Sequence, residues 1–308
     1  MYKRQELEGG TLSTANEYFQ PCLTAATGTA TTVTSGNTEA TDGAGNNKTV
    51  STLGSCNGSA LVTAGNGALR MSSNRLETKS SAVFTREIST ASGLDISFGF
   101  ASYGGLEGAA TGGTADGSGF YLKAGSSTDY APGGAGGAIG YARRSGENGV
   151  DRGLFAIGLD AYGNVGQANH VGSNCTAGTI TDFNNTTYTA VDNVSTTADK
   201  IALLGPTGET RQQGYCLMTS PTGTATTTLS GYSGGSRSIT FMNPSVSNRT
   251  SGTNSTCTVC KDVRIIVDSS AIASADRKIY VIVDGTVRYE VNQPQALKDS
   301  STFKFGFS

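Results

Sequence analysis

The feature that most constrains the fold is a period of two that recurs in short apolar segments from residue 60 onward. In Leu94–Phe100 (LDISFGF), Ile96, Phe98 and Phe100 alternate with small or polar residues, and in 155–164 (FAIGLDAYGN), Phe155, Ile157 and Leu159 do the same. Such alternation puts one face of a strand on a core. Segments 119–123 (GFYLK), 200–205 (KIALLG), 238–242 (SITFM), 263–267 (VRIIV), 278–283 (KIYVIV), 287–291 and 303–307 read as further strands, and Asp284 and Gly285 between two of them read as a hairpin turn. With Leu69, Met71 and 82–85 they make roughly a dozen strands, and no helical period runs through the chain. Short strands joined by turns predict an all-β fold, a sandwich of antiparallel strands with few, short helices. The 43 glycines and a charged fraction of only 15% point the same way.

The chain is long enough for one large β domain with a flank. Residues 11–60 are rich in Thr, Gly, Asn and Ser, with few large apolar side chains after Leu23. We therefore assign 1–59 as a flank and 60–308 as the sandwich. The opening MYKRQ reads as a sequence scar and is left out of fold reasoning. Net charge is −2, and the 22 Lys and Arg are spread along the chain, which argues against nucleic acid or an anionic membrane as partner. No apolar run has the length of a membrane span. The 6 cysteines are Cys22, Cys56, Cys175, Cys216, Cys257 and Cys260. An even number with few other metal ligands predicts disulfides and an oxidising compartment. Pairing in sequence order would close short loops, but spacing alone does not choose it.

The stretch 155–164 also holds the best candidate for chemistry. After the apolar alternation, Asp160, Tyr162 and Asn164 follow at every second position, with Gly163 to turn the chain. A carboxylate, a main-chain carbonyl and an amide oxygen converging at a strand end suit a hard cation, with calcium the natural choice. An ordinary Asp/Gly/Asn turn fits the same ten residues. Two glycine-rich loops precede this strand: 104–119, which ends in Ala115, Asp116 and Gly117, and 132–137 (PGGAGG). His170 falls in a long polar excursion and is expected in a surface loop.

Taken together, ADG before a GFYL strand, then PGGAGGAIGYA, GLFAIGLDAYGN, IALLGP, a DGTV hairpin and a closing FKFGFS resemble the L-type lectin domain, the legume-lectin-like or concanavalin-like jelly roll, and its bacterial surface-adhesin branch in particular. The resemblance covers about 60–308. It implies that Asp116 accepts hydrogen bonds from sugar hydroxyls, and that Gly136 or Gly137 donates a main-chain amide. It further implies that Asp160, the Tyr162 carbonyl and Asn164 hold calcium, with Asn164 also bonding the sugar and the Tyr162 ring stacking on its apolar face. For the fourth protein ligand the expectation is Asp182, with Asn169 and Asp192 as alternatives. Gly158 stands where legume members carry a glutamate for a second metal, so none is expected. The family continues past the point where this chain stops, so a last strand is expected to be missing.

The resulting expectation is a calcium-dependent carbohydrate-binding domain of an extracellular adhesin, part of a longer multidomain protein, recognising cell-surface or polysaccharide glycans without catalysis. The first alternative is a structural spacer module of an adhesin or pilus-tip protein. A jelly-roll glycoside hydrolase is the second, disfavoured because no paired carboxylates flank a cleavable bond. The GYSGG run, 231–235, fits a nucleophile pattern, but no histidine follows it in the chain.

Overall fold

The computed structural model describes 78–100, 116–144, 146–160, 200–218, 261–271 and 276–308, most of 164–190, residues 226–228, and isolated short stretches before 78. It is an antiparallel β-sandwich. The larger sheet contains β1 (Ala82–Val83), β2 (Ile88–Ser89), β4 (Gly117–Ala124), β5 (Gly153–Asp160), β6 (Lys200–Leu204), β7 (Thr226–Thr228) and β11 (Thr302–Phe307). Their order is β7-β6-β5-β4-β11-β1, with β2 also paired to β11. The smaller sheet runs β10 (Thr286–Asn292), β9 (Lys278–Val283), β8 (Lys261–Asp268) and β3 (Leu94–Phe100). Among the described residues the only α-helix is α1 (Gln295–Asp299), five residues long.

Alternation decides which side chains meet between the sheets. Phe120 and Leu122 of β4, Phe155, Ile157 and Leu159 of β5, and Ile201 and Leu203 of β6 face one way. They pack against Val263, Ile265 and Val267 of β8 and Ile279, Val281 and Val283 of β9. Each such side chain contributes about 1.5–3 kcal/mol when fully removed from water. The expected turn between β9 and β10 is present: Asp284 and Gly285 both have positive φ, at 49° and 72°, the conformation a two-residue hairpin demands.

The other face of the larger sheet is covered by loops rather than strands. Tyr121 of β4, Ala156 of β5 and Ala202 and Leu204 of β6 pack there against Tyr141, Val165, Val171 and Tyr215. Small sheet residues let loop backbone lie close. The clearest case is Gly158 of β5, where a Cβ would come 2.4 Å from Ile139 Cδ1. Ile139 itself is held at φ 47°, a conformation a β-branched residue resists. Its carbonyl accepts the Ser308 hydroxyl at 2.7 Å.

The segments 238–242 and 104–115, Tyr162 and Asp192, and the cysteines at 56, 257 and 260 lie outside the described residues. Cys175 and Cys216 are bonded to each other, with Cα atoms 5.3 Å apart, one of the pairs that sequence order gives. Cys22 is also in a disulfide.

Candidate functional site

Strand β5 delivers Asp160 to the loop-covered face, the side to which Ala156 and Gly158 also point. Asp160 is 1% exposed, and its Oδ2 accepts the Val165 N–H at 2.9 Å, which ties residue 165 to the carboxylate. Asp160 stands opposite Gly117 in the β4–β5 register. That pairing places Asp116, one residue before β4, beside the end of β5. Asn164 completes the contact: its Nδ2 donates to Asp116 Oδ1 at 2.8 Å.

The glycine loop closes on the same point. Gly133 N–H donates to the Gly140 carbonyl at 2.6 Å and Gly140 N–H to the Gly134 carbonyl at 3.0 Å, folding 133–140 into a tight backbone-bonded unit. Its tip is a short 3₁₀ turn, Gly136–Ala138, with Gly136 at φ 65°. Gly137 lies directly on Asn164: a Cβ there would come 2.3 Å from Asn164 Oδ1 and 2.5 Å from His170 Nδ1. Only a glycine permits this approach. Thus Asp116, Gly136, Gly137 and Asn164, drawn from three separate segments, meet at one end of β5.

His170 is a correction to the surface-loop expectation. Only 6% exposed, it places Nδ1 3.0 Å from the Asn164 main-chain oxygen. A carbonyl only accepts, so Nδ1 is the donor in this contact. The ring thereby props the backbone of the residue whose side chain reaches Asp116.

One atom in this cluster stands apart. The side-chain oxygen of Asn164 is buried and accepts no hydrogen bond, while the amide nitrogen of the same group is satisfied. Leaving a buried amide oxygen unmatched costs about 1–3 kcal/mol. A hard cation would meet that need, with the Asp160 carboxylate, tied to the neighbouring Val165 N–H, as its charged ligand. Among the described residues no three His, Cys, Asp or Glu side chains gather into a group. A cation here would therefore depend on amide and main-chain oxygens beside Asp160.

Asp182 does not belong to this set. It bridges Gly208, and the next residue, Phe183, donates its N–H to the Thr207 carbonyl, while Thr207 N–H donates to the Gly153 carbonyl. That is the opposite end of β5, roughly 20 Å from Asp160 at about 3.3 Å per residue. Its Oδ1 accepts the Asn184 N–H at 2.8 Å, closing the turn that joins strands Gly178–Thr181 and Thr187–Ala190. Proximity in sequence had suggested it; the hairpin carries it away. Of the alternatives, Asn169 is exposed, and Asp192 lies outside the described residues.

Two residues at the site escaped sequence reasoning. Glu147 Oε2 accepts the Ala135 N–H at 3.1 Å and the Lys79 ammonium at 2.8 Å, so it anchors the glycine loop. Arg144 also lies against the loop, since a Cβ built on Gly136 would come 3.5 Å from its Nη1. Neither belongs to a spacing pattern; both arrive through a turn whose position depends on the folded loop. The disulfide supports the opposite side. Cys175 and Cys216 join the loop that carries His170 to the segment around Tyr215, and Gly172 N–H donates to the Gly214 carbonyl at 2.7 Å beside it.

No protein-family model matches the chain, and no curated protein sequence matches it significantly. The functional reading therefore rests on the residues and their geometry.

Proposed function

We propose that the chain is a calcium-dependent carbohydrate-binding domain with the jelly-roll topology of L-type lectins, displayed outside the cell as part of a longer adhesin-like protein and without catalytic activity. The observation that carries this reading is the buried, unmatched Asn164 oxygen at the meeting point of Asp116, Gly137 and the end of β5. In this reading Asp160, Asn164 and the main-chain carbonyl of Tyr162 hold the cation. Its chemistry is to hold the oxygens of these residues together. Asp116 accepts sugar hydroxyls, the Gly136 and Gly137 amides and Asn164 Nδ2 supply donors, and the Tyr162 ring stacks on the sugar's apolar face. The disulfide fits an oxidising compartment, and no helix among the described residues is long and apolar enough to cross a membrane.

Shallow sugar sites of this kind bind with millimolar to micromolar dissociation constants, about −4 to −8 kcal/mol, so adhesion would use many copies. The test is a glycan array run in millimolar calcium and again in chelator. Glycan binding that needs calcium is the expected result. An array silent in both conditions, with calcium still raising the melting temperature, would instead mark a structural spacer module.

A further inference from the structure

We propose that His170 is a positioning residue of this site: by holding the Asn164 main chain it aims the Asn164 side-chain oxygen and so sets the affinity for the cation. The inference rests on the calcium-dependent reading above. His170 is the only histidine in the chain. Its Nδ1 donates to the Asn164 carbonyl at 3.0 Å, and the same carbonyl accepts the Gln167 N–H at 3.3 Å. A carbonyl oxygen has two lone pairs, so both are taken. The main-chain oxygen of Asn164 is thereby committed to the protein, and its side-chain oxygen is the one left for a cation.

Asn164 is fixed at a second point, because its Nδ2 donates to Asp116 and only Oδ1 stays unmatched. Gly137 closes the arrangement. The Cβ it lacks would fall within 2.3 Å of Asn164 Oδ1 and 2.5 Å of His170 Nδ1, so amide and ring border the same glycine. His170 is itself anchored. Its N–H donates to the Gln167 carbonyl at 2.8 Å, and two residues on, Gly172 N–H donates to the Gly214 carbonyl at 2.7 Å. The Gly172 carbonyl accepts the N–H of Cys175 at 3.0 Å, and Cys175 is bonded to Cys216. The ring is thus fastened to the loop layer before any ligand arrives. An oxygen aimed in advance loses less freedom on binding. Partners that orient metal ligands in this way cost about 10–100-fold in metal affinity when removed.

The test separates a hydrogen-bond donor from a buried ring, using calcium itself as the probe on the whole protein at one fixed pH. Asparagine carries an N–H donor near the position of histidine Nδ1, glutamine carries one near that of Nε2, and leucine carries none. His170→Leu and His170→Gln should weaken calcium binding about tenfold by calorimetric titration, and His170→Asn should restore most of it. Hydrogen-exchange protection of the β8 and β9 amides shows that each variant is folded. A second measurement needs no variant and no calcium. With a single histidine, the imidazole nitrogen NMR spectrum of the calcium-free wild type reports this ring alone, and its Nδ1 should carry a proton that exchanges slowly. An Nδ1 without a proton would overturn the positioning role, as would a calcium affinity left unchanged by His170→Leu or lost equally in His170→Asn. Each of those results would leave the cation site standing. A wild-type protein that binds no calcium would overturn the reading beneath it and this inference together.

Discussion

The two faces of the larger sheet are buried by different means. The face toward β8 and β9 is an apolar core of alternating Phe, Ile, Leu and Val, in which burial alone supplies the stabilisation. The opposite face buries tyrosines, small residues and loop backbone, and its tyrosine hydroxyls are each matched by a partner. Tyr141 donates to the Gly205 carbonyl at 3.0 Å, Tyr215 to the Val150 carbonyl at 2.8 Å, and Tyr121 shares a hydrogen with Ser81 at 2.5 Å. Among the described residues the sheet-to-sheet core is almost wholly apolar, with the Tyr289 hydroxyl buried unmatched, so it offers little from which to build a polar site. A loop layer can hold oriented donors and acceptors near the surface, and the candidate site lies in it.

The largest effect should come from breaking the first face. Phe155→Ala removes a fully buried ring from the centre of the larger sheet and should cost about 3–5 kcal/mol, measured by denaturant unfolding, with both faces lost in one transition. Removing the Cys175–Cys216 bond by a double serine substitution should cost about 3 kcal/mol and act on one face only. Hydrogen exchange should then quicken in 164–175 and 211–217 while the amides of β8 and β9 keep their protection. Equal loss of protection in both regions would contradict a separate loop layer.

A third effect depends on pH. Lys123 of β4 projects to the loop side, buried, and its ammonium bonds the Asp129 carbonyl and lies 5.5 Å from the centre of the Tyr130 ring. Burial pushes its pKa down to about 8, partly offset by the nearby Asp129 and Asp151 charges. The folded protein therefore binds fewer protons than the unfolded chain between about pH 8 and the ordinary lysine value of 10.5. Stability from this group rises across that window, and the cost is fully present below it. The rise should amount to about 3 kcal/mol at most. Tyr215, whose hydroxyl is pushed above its ordinary range by burial, acts in the opposite sense above pH 10. Comparison with Lys123→Met isolates the lysine, and a stability profile unchanged by that substitution would contradict it. The smallest effect belongs to the exposed Arg264–Asp95 pair on the small sheet, where Arg264→Ala should leave the unfolding midpoint within error.

The same contrast explains what the sequence made legible. Leu94–Phe100 and Lys278–Val283 were readable to the residue because period two survives any tertiary context that buries one face. The Asp284–Gly285 turn was readable because two positive φ angles need such residues. In the loop layer, Asp116, Gly137 and Asn164 could be named only from the order of their motifs. Their contact depends on Gly117 standing opposite Asp160, which no local pattern states. His170 looked like a loop residue because its partner is a backbone carbonyl, and carbonyls leave no trace in sequence. Arg144 and Glu147 were missed for the same kind of reason, and Asp182 was chosen by distance along the chain when a hairpin had moved it to the far end of β5.

The most direct test of the site is a calcium titration followed by melting temperature on wild type, Asp160→Ala and Asp116→Ala. At a calcium concentration about 100 times the dissociation constant, wild type should gain about 2.7 kcal/mol, roughly 5–10 °C. Asp160→Ala should lose that gain along with glycan binding, whereas Asp116→Ala should keep most of it and lose the glycan alone. A wild-type melting temperature indifferent to calcium, or equal loss of the calcium response in both variants, would contradict a cation held by Asp160 and Asn164 beneath a sugar held by Asp116.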